Sequence, residues 1–160
     1  MNNALTNYLS GKIKAAGPPR RPPDFTIGDP ARPYMHRWHL IPANRLFTVY
    51  LHHILRSDDD RAFHDHPSAS LSLMIAGEMN EHYYDNTGGG CRRDITPGSL
   101  IYRGSTFAHM LVIPRGKSAW TVFIMGPRWR TWGFHCPNGW RPWTEYVKGE
   151  APGEVGPGCD

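Results

Sequence analysis

The sequence predicts an all-β domain of the sandwich or jelly-roll kind, and three observations carry that reading. From His36 onward, short segments rich in aromatic and β-branched residues follow one another at close spacing. The chain holds 17 glycines and 15 prolines, which favours many short elements joined by turns over long helices. No helical periodicity separates one strand-like segment from the next, so alternating βα units are excluded. With 160 residues, 39% of them apolar, the chain has the length and core material of one domain.

Taken in order, Asn3 to Ala16 predicts a short helix, because Leu5, Tyr8, Leu9 and Ile13 fall near helical spacing. Gly17 and Pro18-Pro19-Arg20-Arg21-Pro22-Pro23 stop it and read as an extended arm, so residues 1–35 form a helix and a proline-rich arm. Residues 36–148 form the β domain. Within it, Leu46 to Arg56 alternates, with Phe47, Val49, Leu51 and His53 on one face and Thr48, Tyr50, His52 and Ile54 on the other. Ser57-Asp58-Asp59-Asp60 reads as a turn. Strands are expected over 62–66, 70–75, 81–84, 92–95, 100–103, 109–113 and 120–125, divided by Gly77, the Asp85–Gly90 loop, Thr96-Pro97-Gly98 and Pro114-Arg115-Gly116-Lys117. Five of the six tryptophans crowd into residues 120–143, giving an aromatic-rich C-terminal extension that either caps the sheet or walls a pocket. Residues 149–160, rich in glycine and proline, read as a flexible tail.

Charge and cysteine usage narrow the function classes. Arginine outnumbers lysine 14 to 4 within a formal net charge of +4, yet the basic residues are scattered singly or in pairs. A nucleic-acid footprint would be a denser stripe, so a pocket for an anionic small molecule is the better fit. Cys91, Cys136 and Cys159 form no CxxC pair, which argues against a disulfide framework or a cysteine-bound zinc and for a reducing, cytoplasmic setting. No apolar run approaches the roughly 18 residues of a membrane span.

The chemistry concentrates in Phe63-His64-Asp65-His66-Pro67. On a strand, His64 and His66 share a face and Asp65 points the other way. His64-Asp65-His66, closed by Gly77, and Pro97-Gly98 followed by His109 resemble, in order, the two motifs of the cupin superfamily. The resemblance covers roughly Val49 to Met125 and implies a double-stranded β-helix, the cupin form of the jelly roll, with His64, His66 and His109 as metal ligands. The segment Trp132–Trp140 resembles that of small uncharacterised cupin-like proteins of bacteria and phages, for which no activity is implied. One position departs from the pattern: the family's glutamate ligand, four residues after the second histidine, is Ser70. A serine is a poor ligand beside imidazole or carboxylate, so three histidines plus water, or a fourth ligand from elsewhere, are expected.

Candidates for a fourth contact or acid–base partner are Glu81, His53, Asp60 and His135. Arg103 could clamp a carboxylate or phosphate, although alternation lets only one of Tyr102 and Arg103 point inward. Asp65 is expected to pair with an arginine such as Arg61 or to hold a neighbouring loop. The resulting expectation is a cupin binding one divalent transition metal (iron, zinc, manganese or nickel) and acting on a small organic substrate. Its most concrete form is a non-haem iron dioxygenase. The alternatives are a zinc, manganese or nickel isomerase, epimerase or lyase using Glu81 or His53 to move a proton, and a non-catalytic binding or structural module. An exposed sheet edge, the arm and the tryptophans favour a homodimer.

Overall fold

A computed structural model of the protein describes residues 4, 8, 11–12, 19–41, 44–58, 62–147 and 156–160. Most of the helix expected over 3–16 lies outside the described residues, as do Asp60, Arg61 and residues 148–155. The described strands are β1 (Phe25–Asp29), β2 (Arg32–Ile41), β3 (Thr48–Ile54), β4 (Phe63–His64), β5 (Ser70–Gly77), β6 (Met79–Tyr84), β7 (Gly90–Ile95), β8 (Leu100–Arg103), β9 (His109–Val112), β10 (Ala119–Met125), β11 (Gly133–Cys136) and β12 (Gly139–Pro142). One turn of helix, α1 (Trp143–Tyr146), follows. They build two six-stranded antiparallel sheets, ordered β1-β2-β3-β10-β5-β8 and β12-β11-β4-β9-β6-β7. This is the jelly roll that the strand spacing predicts.

Strand structure begins earlier than the sequence reading placed it. Phe25-Thr26-Ile27 has the aromatic and β-branched character of a strand, and β1 pairs with β2 across the turn after Asp29. The end of the proline-rich arm lies against the sheet: Trp38 Nε1 donates to the Arg21 carbonyl at 3.1 Å, and the His39 amide donates to Asp24 at 2.7 Å.

What matters for function is a gradient along the inward faces. At one end, Met35, Ile54, Met74, Met79, Ile95, Leu111, Ile113 and Ala119 form an apolar core shared by both sheets. Two residues along each strand, the inward position is the same face again. There Met35 gives way to Arg37, Ile54 to His52, Met79 to Glu81, Ile95 to Arg93 and Leu111 to His109. The interior is therefore an apolar plug with a polar, ionisable compartment on top. Gly77 is required where β5 turns into β6: its φ is +90°, and a Cβ there would meet the Ser118 carbonyl oxygen at 1.9 Å.

The tail caps the sheet and also touches the site. Phe134 stacks on Tyr146 with centroids 3.6 Å apart, and Trp132 on Trp143 at 5.8 Å, around a small core of Ala62, Phe134 and Tyr146. Trp120 does not belong to it; it packs with Trp38, Leu51 and Ile75 on the other face of the first sheet. The cysteine reading is corrected here, because Cys136 and Cys159 form a disulfide. Residues 156–160 are accordingly held: Arg141 donates to the carbonyls of Gly158 and Asp160 at 3.0 and 2.6 Å. Spacing alone concealed the pair, since 23 residues separate the two cysteines and only the β11–β12 hairpin brings the ends together.

Candidate metal centre

Three elements deliver the three histidines. His64 lies on β4 and pairs in register with His109 on β9. His66 follows in an extended segment whose amide donates to the Ser105 carbonyl at 3.0 Å, while Arg130 caps the His66 carbonyl at 3.1 Å. One nitrogen from each ring falls within 4.8 Å of the other two, and His66 Nε2 is 2.8 Å from His109 Nε2. Imidazoles bound to one zinc-sized ion at ~2.1 Å have their nitrogens roughly 3 Å apart, so small ring movements would seat a metal here.

The electrostatics suit a cation ligand set. Burial pushes His109 down to about 4, against the opposing pull of Glu81. Burial, with His109 and His64 beside it, drives His66 well below the ordinary histidine value. Both rings are therefore neutral at physiological pH, the form that donates a lone pair to a metal. Neutral imidazole is a donor suited to iron, zinc, copper or nickel.

Behind two of the rings stand carboxylates. Glu81 is fully buried on β6, with Oε1 2.6 Å from His109 Nδ1 and 2.5 Å from Arg103 Nε. Its other oxygen meets Arg93, and Arg103 also donates to Ser72 at 2.8 Å. The His109 contact is short but off the ideal line for its N–H. Burial alone would raise the Glu81 carboxyl, but contact with His109 and Arg103 outweighs it and holds the group at about 2. Asp58 plays the matching part for His64: Oδ2 is 3.6 Å from His64 Nδ1, accepts from the Leu111 amide at 2.7 Å, and Oδ1 accepts from Tyr34. Carboxylates placed on the outer nitrogen of a ligating imidazole fix its tautomer and orientation.

The structure separates the candidates that the sequence grouped. Glu81 joins the histidine cluster at His109 Nδ1, the nitrogen away from His66, and Arg103 joins it through Glu81. Arg103 points inward and Tyr102 outward, at 2% and 69% exposure. His53 lies on the opposite face of its strand from the cluster. It stacks on Trp120 at 4.0 Å and bonds Ser118 at 3.1 Å, while its neighbour His52 faces inward. His135 bonds Asp65 at 3.3 Å outside the cluster. Asp65 does hold a loop: it accepts from the Gly133 amide and from Trp140 Nε1 and pairs with Arg130, tying the tail to the back of the His64–His66 segment. Ser70 is buried at the family's glutamate position, its hydroxyl without a partner among the described residues.

Asp58, Tyr34 and Arg37 were not visible as site residues in the sequence. Asp58 stands in a run of aspartates that looks like turn chemistry. Only the tertiary pairing shows it reaching β9 and His64. For Arg37, the available signal was strand alternation from Met35, which puts it inside.

The fold and this cluster define a cupin-type β-barrel with a three-histidine centre. No family model and no curated protein sequence matches the chain. Solved structures do. It is similar to the DMSP lyase DddQ from Ruegeria pomeroyi DSS-3, with 16% identity and a TM-score of 0.54 over 78% of this chain and 64% of that one. It is also similar to the polyketide cyclase RemF from Streptomyces resistomycificus, at 18% identity and a TM-score of 0.51 over 74% of this chain and 75% of that one. The Fe(II) enzyme HppE gives 14% identity and a TM-score of 0.51 over 69% of this chain and 60% of its own. The chain thus spans under two thirds of the length of DddQ and HppE, and what is shared is the fold.

Proposed function

We propose that this protein is a metal-dependent enzyme acting on a small organic substrate, with His64, His66 and His109 holding one divalent transition metal. The observation that carries the reading is the convergence of three imidazole nitrogens within 4.8 Å in a polar compartment above an apolar plug. A purely structural site needs no such compartment. A bound dication there would polarise an oxygen of the substrate or a water molecule, and three neutral ligands would leave its charge undiminished. Glu81 and Asp58 keep the rings oriented, while Phe123 and Phe107, near His66 and His109, exclude water from one side. Glu81, ionised and enclosed by two guanidinium groups, acts as a positioning group for His109 in this reading. That role replaces the proton transfer expected from sequence.

Two reactions fit these ligands. An iron dioxygenase is the more concrete; an isomerase, epimerase or lyase using zinc, manganese or nickel is the second. Metal-stripped protein reloaded with single metals separates them. A dioxygenase turns over only with ferrous iron and oxygen, whereas the second class runs anaerobically with a redox-inert metal. Failure of every metal-loaded form to exceed the stripped protein on a broad panel of small organic acids and thiols would contradict an enzymatic role. The homodimer expected from sequence is retained within this proposal, whereas the cytoplasmic setting loses its cysteine argument to the Cys136–Cys159 bridge; among the described residues no helix is long and apolar enough to cross a membrane.

A further inference from the structure

A second feature of the interior is cationic. Beside the histidine compartment, a cleft of about 820 Å³ opens between β1–β2 and the segment after β10, and its walls carry Arg37, His39, Arg45 and Arg128 with Phe25 and Tyr50. Among the described residues no aspartate or glutamate lines it. Arg37 is the half-buried member. Its Nε donates to His52 Nε2 at 3.0 Å and its plane lies over the Tyr50 ring at 4.7 Å, which holds the side chain in one orientation. Beyond these, it contacts the Met35 sulfur at 3.9 Å, and no carboxylate balances the guanidinium among the described residues. A guanidinium withdrawn from water without an anion is unfavourable, and proteins keep such groups where a ligand completes the pair. Elsewhere in this interior the rule is met: Arg103 and Arg93 share Glu81, and Arg130 has Asp65.

A short relay of rings links the cleft to the histidines. Arg37 bonds His52, His52 stacks on Phe123 at 5.0 Å, and Phe123 lies 6.0 Å from the His66 ring. We propose that this cleft binds the carboxylate or phosphoryl group of a small organic anion through Arg37, Arg45 and Arg128, with the rest of the molecule directed toward the three histidines. This rests on the enzymatic reading for its purpose, but anion binding itself does not require the metal. Arg37 supplies the fixed, preorganised fork; Arg45 and Arg128, both exposed, close on the anion from solvent. It also reassigns the anion clamp from Arg103, whose Nε and Nη1 are engaged by Glu81 and Ser72.

The test is calorimetric or NMR titration of the full chain with succinate and with inorganic phosphate, at constant ionic strength set by sodium chloride, with 1,4-butanediol as the uncharged control. Saturable one-to-one binding of one of the two anions and none of the diol is expected, and whichever anion binds names the ligand group. Arg37→Gln and Arg128→Gln should each weaken it by about tenfold or more, the scale of a charge-assisted hydrogen bond. Arg128→Gln changes an exposed residue and keeps the test valid should Arg37→Gln fail to fold. His64→Ala should bind the anion as the wild type does. Anion binding that survives in His64→Ala while metal is lost leaves the cleft assigned whatever becomes of the metal reading. Absence of saturable binding of both anions, or wild-type affinity in either folded variant, would overturn the proposal.

Discussion

Glu81 Oε1 stands 2.6 Å from His109 Nδ1, and the same carboxylate is clasped by Arg103 and Arg93. A residue two places along β6 from the apolar plug thus reaches the ring of His109 on the neighbouring strand, through the pairing of Glu81 with Leu111 and of Tyr83 with His109.

Glu81→Gln is expected to lower metal affinity by roughly 10- to 100-fold, the usual effect of removing an outer carboxylate from a ligating histidine. It should also destabilise the fold by roughly 3–5 kcal/mol, because Arg103 and Arg93 lose their anion. Competitive chelator titration and thermal melts read the two effects. Wild-type affinity in a folded variant would refute the positioning role.

Asp58→Asn should act in the same direction through His64, with a smaller effect on affinity since the ring is 3.6 Å away. It should still cost about 1–3 kcal/mol in stability, because one oxygen serves Leu111 and the other Tyr34. If chelator titration found His64-dependent metal binding untouched, the Asp58–His64 contact would carry no weight.

The pH dependence has a definite sign. His109 and His53 sit at about 4 in the folded chain against an ordinary value of 6.5, so between these values the unfolded chain binds more protons. Stability therefore declines as pH falls from about 6.5 toward 4. Glu81 is depressed from 4.5 to about 2, so its contribution is complete above 4.5 and is lost between there and 2. Denaturant melts of the metal-free protein should follow both steps; a flat profile from pH 7 to 4 would contradict the buried neutral histidines.

Much of this was legible in the sequence, and the part that was not has a common cause. Alternation placed His64 with His66 and one of Tyr102 and Arg103 outside, because period-two patterning is a property of one strand alone. The three-histidine set followed from motif order. Asp58 and the Cys136–Cys159 disulfide depend on which strands meet across the barrel, and no local pattern records that. His53 illustrates the limit. The alternation that groups it with Leu51 holds, but that face looks away from the cluster, and which face looks inward depends on β10 and β2.

Cys159→Ser should release residues 156–160 from β11 and lower stability by about 3 kcal/mol, the chain-entropy value for a loop closed across 23 residues. The β-barrel and metal binding should persist, because the cluster is built on β4 and β9 and not on the tail. Thermal melts with and without reductant check this, and identical melts would mean the bridge contributes nothing.

The most direct measurement is elemental analysis of untagged protein beside His64→Ala and His109→Ala, each confirmed as folded by circular dichroism. The three-histidine centre predicts close to one divalent transition metal per wild-type chain and loss of most of it in both variants. Stoichiometric metal retained in both, with the fold intact, would contradict it.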